Sequence, residues 1–127
     1  MRGLLLDTHA LIWALGAPTR LPVPVARAIR DSATDVYVSS VSTWEIAIKA
    51  ALGKIDADVG TIAAAAAAAQ FDELPITVAH TLRLGVLPPH HRDPFDRLLV
   101  AQAIEERLSI VTHDTAIAQY PVAILWR

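Results

Sequence analysis

Gly3-Leu4-Leu5-Leu6-Asp7-Thr8-His9-Ala10-Leu11-Ile12-Trp13 is the stretch on which the fold turns. A short aliphatic run opened by glycine and closed by an acid reads as a strand over residues 3–6, and the residues after Asp7 read as a helix over 8–15. The same grammar repeats along the chain. Further aliphatic or β-branched runs at 36–39, 74–77, 109–112 and 122–125 read as strands. Between them, 24–32, 43–52, 61–70, 78–84 and 94–107 read as helices, several ending at Gly or followed by Pro. Alternation of this kind implies an α/β fold, with a mainly parallel sheet covered by helices on both faces.

The 127 residues are 54% hydrophobic and 19% charged, enough apolar material for one folded domain over residues 1–127 and too much for general disorder. The chain has no cysteine, which excludes a disulfide framework, a thiolate nucleophile and any Cys-ligated metal. Eleven Lys+Arg against thirteen Asp+Glu give a net charge of -2, so no global basic field holds nucleic acid nonspecifically. The leading apolar run, broken at Asp7, is too short for a signal peptide or a membrane span, so a soluble cytoplasmic protein without a membrane partner is expected. The alanine run 63–69 predicts a close-packed helix and carries no chemistry of its own.

The acids are placed informatively. Asp7 follows the first strand directly, and Asp114 lies two residues beyond the strand at 109–112. Ligands in open α/β sheets bind at that carboxyl edge. Glu45 is expected in the first turn of the helix after the second strand, and Asp96 in the first turn of the helix opening at Pro94. Four acids from distant parts of the chain are thus predicted to converge on one rim. Two like charges about 4 Å apart repel by on the order of 4 kcal/mol at an effective dielectric near 20, so such a cluster requires protonation or a cation. Oxygen ligands without cysteine favour Mg²⁺ or Mn²⁺, ions suited to phosphodiester chemistry.

Local explanations compete for each acid. Ser42-Thr43-Trp44-Glu45 matches a capping box, in which Glu45 would reach back to the Ser42 amide. Asp93-Pro94-Phe95-Asp96 reads as an N-cap followed by proline at the first helical position, with Asp96 favourably placed in the helix dipole. Ser40 and Thr112 are candidates to orient a carboxylate, or simply close strand ends. Arg92 and Arg97 are placed either to hold a phosphate or to pair with the neighbouring aspartates. His9 and His113 read as partly exposed turn residues, His90-His91 as a solvated loop, and Trp13, Trp44 and Phe95 as core.

Three segments together carry a family resemblance. Residues 5–13, the run Ser39-Ser40-Val41-Ser42-Thr43-Trp44-Glu45-Ile46, and His91-Arg92-Asp93-Pro94-Phe95-Asp96-Arg97-Leu98-Leu99-Val100-Ala101-Gln102-Ala103 resemble the PIN-domain ribonucleases, specifically VapC-type toxins; Ile110-Val111-Thr112-His113-Asp114 agrees. The likeness spans nearly the whole chain in the right order. It implies a three-layer α/β/α sandwich, Mg²⁺- or Mn²⁺-dependent cleavage of RNA, homodimerisation and neutralisation by a cognate VapB-type antitoxin. Under it, Asp7, Glu45, Asp96 and Asp114 match the family's four acids in order, Asp93 is a branch-specific extra, and Thr112 matches the hydroxyl position beside the last acid.

Two other classes place acids similarly. A phosphate-handling enzyme of the haloacid-dehalogenase type needs a second Asp two residues after the first, where this chain has His9. A receiver-like signalling domain that binds Mg²⁺ needs a lysine at a late strand end, and both lysines, Lys49 and Lys54, lie mid-chain. A Walker-type nucleotide site fails at Gly53-Lys54-Ile55.

Overall fold

The computed structural model describes residues 3–126. In chain order the elements are β1 (Leu4–Leu6), α1 (Thr8–Gly16), α2 (Val23–Arg30), β2 (Val36–Ser39), α3 (Ser40–Ala51), α4 (Val59–Ala68), β3 (Asp72–Leu74), α5 (Val78–Gly85), α6 (Pro94–Glu106), β4 (Ser109–Val111) and β5 (Ile124–Leu125), with short 3₁₀ turns at Pro18–Arg20 and Ile117–Gln119. The strands form one sheet in the order β3-β2-β1-β4-β5, every pairing parallel.

β1 is the middle strand. Leu4 faces Val36 on one side and Ser109 on the other, and Leu6 faces Val38 and Val111. All three leucines are fully buried, because a strand packed on both faces gains from an apolar residue at every position. Alternate side chains serve opposite layers. Leu4 and Leu6 join Leu11, Val25, Ile29 and Ile46 in one core, while Leu5 joins Val41, Leu99, Ile110 and Ile117 in the other. Helices α1, α2 and α4 pack on the first face, and α6 with α5 on the second. Helix α3 contributes to both, so the expected three-layer α/β/α sandwich is the observed one.

Several expectations about local structure need correction. The third strand lies at Asp72–Leu74 rather than 74–77, because Pro75 has no amide to give the ladder, and exposed Asp72 and Glu73 are tolerated on the sheet's edge. Helix α3 begins at Ser40, three residues earlier than expected: the Ser39 hydroxyl caps it by accepting from the Val41 amide at 2.9 Å. The alanine helix is not close-packed. Only Ala66 of the run is buried, and intrinsic propensity together with an Asp58 cap sustains it. Trp44 is 49% exposed and meets Phe95 edge to face at 4.8 Å, so it is not core.

Gly3 holds the entry to β1. A Cβ there would lie 2.7 Å from the Asp35 carbonyl oxygen and 3.1 Å from the Tyr37 ring. That carbonyl already accepts from the Leu4 amide at 2.9 Å, so it is not free to retreat. We expect Gly3→Ala to cost about 1–3 kcal/mol, read as a melting midpoint several degrees lower. An unchanged midpoint would contradict this tight approach.

Candidate active site

In the strand order 3-2-1-4-5 the chain runs outward from β1 in one direction and returns on its other side, so the crevice at the carboxyl ends of β1 and β4 is the topological switch point. Asp7 leaves β1 there, its amide donating to the Val111 carbonyl of β4 at 3.1 Å. Its carboxylate caps α1, accepting from the Ala10 amide at 2.8 Å, and bonds the buried Thr112 hydroxyl beyond β4. Around it opens a pocket of about 330 Å³. The lining includes Asp7, Glu45, Asp93, Asp96 and Asp114 together with a single lysine, Lys49. The four acids expected to converge therefore share one cavity, with Asp93 as a fifth.

Each carboxylate is held by its own element. Glu45 sits in the second turn of α3, buried, where Oε1 accepts from the Thr8 hydroxyl at 2.6 Å and Oε2 pairs with Lys49 one turn on. The capping-box reading fails because the cap is Ser39; Ser42 instead lies buried beside the Thr8 hydroxyl, 3.2 Å away. Asp93 is the cap of α6, with Oδ1 accepting from the amides of Phe95 and Asp96 at 2.8 and 3.2 Å. Asp96, one turn into that helix, faces the pocket. Asp114 accepts from the Ala116 amide at 2.8 Å, and its own amide donates to Thr112 Oγ1 at 3.0 Å.

His91 is the residue that sequence reasoning missed. Expected in a solvated loop, it bridges two acids: Nε2 lies 2.9 Å from Asp114 Oδ2 and 3.1 Å from Asp96 Oδ2. The Asp93 amide donates to its Nδ1 at 3.0 Å, so the Nε2 proton faces the carboxylates. His91, Asp96 and Asp114 bring one donor atom each within 4.8 Å of one another. The signal available was the His-x-Asp spacing, which lets an imidazole receive the amide two residues on. Lys49 was legible as the i+4 partner of Glu45.

Ser40 and Arg97 do not join the site. Ser40 borders a separate depression with Thr43 and Ala67, and its carbonyl accepts from Thr43 at 3.2 Å. Arg97 reaches away from the aspartates to the Leu87 carbonyl at 3.2 Å. The Thr112 side chain hydrogen-bonds the Asp7 carboxylate. His9 and His113 are exposed and line the pocket.

Negative charge dominates the pocket. Five acids against one ammonium leave four negative charges in excess if all ionise. Burial raises the Asp7 carboxyl above its ordinary range, and burial reinforced by the charges of Asp93 and Glu45 pushes Asp96 up to about 7. Partial burial works against ionisation of Asp114, but bonds from His91 and the Ala116 amide outweigh it and hold that carboxyl low. Hydrogen bonding to Glu45 raises the Lys49 ammonium.

Asp96 binds its proton more tightly folded than unfolded, so stability falls as pH rises from about 4 to about 7 and stays lowered above. We expect metal-free Asp96→Asn to melt higher than wild type at pH 8, with the gap closing toward pH 5. A gap that is the same at both values, or reversed, would contradict the repulsion.

Comparison with known proteins agrees with this architecture. The PIN domain model matches residues 4–123, and the chain belongs to that nuclease family. VapBC2 from Rickettsia felis, bound to a promoter DNA fragment, is similar in fold: TM-score 0.71 over 96% of each chain at 14% identity. FitAcB from Neisseria gonorrhoeae gives TM-score 0.65 over 96% of each chain at 22% identity. FitAB bound to the IR36 DNA fragment gives 0.61 over 98% of this chain and 96% of that one, at 21% identity. No curated protein sequence matches the chain.

Proposed function

We propose that the protein is a divalent-metal-dependent ribonuclease that hydrolyses RNA phosphodiester bonds, acting as the toxin of a toxin–antitoxin pair. The observation that carries this reading is the switch-point pocket, where Asp7, Glu45, Asp96 and Asp114 converge from four separate elements of a PIN-family chain.

The donor set fits a hard cation. Every acid offers carboxylate oxygen, the negative charge is in excess, and burial with the charges of Asp93 and Glu45 drives Asp96 toward protonation. Asp7, Asp96 and Asp114, with Glu45, would hold Mg²⁺ or Mn²⁺. When bound, such an ion lowers the pKa of water and stabilises charge on a departing phosphodiester oxygen. The chain's own groups supply the rest. Thr112 and the Ala10 amide fix the Asp7 carboxylate, while Thr8 fixes Glu45. His91 spans Asp96 and Asp114 and sets their separation. Lys49, paired with Glu45 at the pocket wall, is placed to attract a phosphate into an otherwise anionic cavity. Asp93 serves chiefly as the α6 cap, and its Oδ1 is already engaged by two amides.

The partner reading rests on the fold neighbours, which were solved as VapBC2 and FitAB assemblies on DNA. A VapB-type antitoxin fits this chain's fold and family. No helix among the described residues is long and apolar enough to cross a membrane.

Asp7→Asn tests the site. We expect RNA cleavage in Mn²⁺ to fall at least about a hundredfold with the circular dichroism spectrum unchanged. Near-wild-type activity from the folded variant would overturn the assignment. Mg²⁺ or Mn²⁺ at about 100 times its dissociation constant adds roughly 2.7 kcal/mol, so the melting midpoint rises in wild type and much less in Asp7→Asn. A midpoint indifferent to millimolar metal would contradict a cation site.

A further inference from the structure

One side of the pocket is not acidic. Trp13 from α1 and Trp126, immediately beyond β5, both line it, their ring centroids 6.0 Å apart at 50°. His113 stacks on Trp126 at 5.1 Å and 26°, and His9 lies 6.0 Å from Trp13. The Arg20 guanidinium sits 4.6 Å above the Trp13 ring. Trp13, expected in the core, packs against it yet is only partly buried, and so is Trp126. Neither position looks aromatic-dependent from spacing, because they are 113 residues apart and meet only through β1–β4–β5 pairing.

We infer that this aromatic wall stacks an unpaired nucleobase adjoining the scissile phosphate of single-stranded RNA. The inference rests on the ribonuclease reading and deepens it. The rest of the lining is dominated by carboxylates, which repel a phosphodiester backbone unless a cation intervenes. The two tryptophan rings carry no charge, and any base can stack on an aromatic ring without sequence readout. Both tryptophans are anchored on the core, so little side-chain freedom remains to be lost on binding. Arg20, over the Trp13 ring, adds a cation next to this wall that can meet the backbone of a bound strand. The aromatic rings and the acids line one cavity of about 330 Å³, which suits a base and its adjoining phosphate, the latter bridged to the acids by a cation.

The test compares KM and kcat on a short single-stranded RNA in Mn²⁺ for wild type, Trp126→Ala and Trp126→Phe, with Mn²⁺ affinity read from the melting shift. We expect Trp126→Ala to raise KM about tenfold, the loss of roughly one stacked base. Its kcat and Mn²⁺ response should stay near wild type, and Trp126→Phe should recover most of the KM. The same RNA made abasic beside the cleaved bond should bind wild type and Trp126→Ala equally weakly. A second measurement does not depend on that variant folding. In Trp44→Phe protein, whose remaining tryptophans are the two at the wall, base-bearing RNA should quench the fluorescence and abasic RNA should not. Wild-type cleavage with KM unchanged in Trp126→Ala, or equal quenching by both RNAs, overturns the stacking wall and leaves the nuclease reading standing. Absence of cleavage by wild type in Mn²⁺ overturns that reading and this inference with it.

Discussion

Mutual repulsion among carboxylates is the constraint around which this structure is arranged. Side chains from α1's cap, α3, α6 and the turn after β4 are pressed into one cavity, and burial makes the repulsion stronger than at a surface. The chain tolerates it because the backbone beneath is over-determined. β1 is hydrogen-bonded on both sides and apolar on both faces, so Asp7 goes where the sheet sends it. The protein further spreads the charge through specific bonds: amides on Asp7, Asp93 and Asp114, a hydroxyl and an ammonium on Glu45, and an imidazole between Asp96 and Asp114. These partners orient each oxygen without neutralising the set. The remaining excess of negative charge is what a divalent ion would relieve.

Buried polar links tie the site to the scaffold behind it. The Ser39 hydroxyl that caps α3 also donates to Gln102 on α6, so the helices carrying Glu45 and Asp96 are fixed to each other. Gln102 in turn lies 3.4 Å from both the Pro75 carbonyl and His80, and His80 pairs with Glu106 at 2.9 Å. All three buried polar side chains, Ser39, His80 and Gln102, are fully enclosed and satisfied, which favours one relative placement of the helices over many. Precision of this kind matters where donor atoms must meet within a coordination sphere.

The layer architecture was legible because strand and helix patterns alternate cleanly, and the position of Asp7 and Asp114 at strand ends was enough to point to the sheet's carboxyl edge. Local competition was harder to resolve. Ser39, Ser40 and Ser42 are all chemically able to cap α3, and only the backbone geometry selects Ser39, which moves Glu45 from a cap position to a buried site. His91 escaped because its role depends on Asp114, 23 residues away, as much as on the local turn. Trp126 escaped for the same reason: its partners Trp13 and His113 are assembled by sheet pairing and by nothing in the surrounding sequence. Arg97 shows the converse error, since proximity to Asp93 and Asp96 in sequence does not place it among them on a helix.

A crystal soaked in Mn²⁺ and measured at the manganese absorption edge examines the convergence of these acids most directly. An anomalous peak is expected inside the pocket, in contact with oxygens of Asp7 and Asp96 and adjacent to Asp114. A clean map with no peak there, or with the only peaks on surface acids outside the β1–β4 crevice, would contradict it.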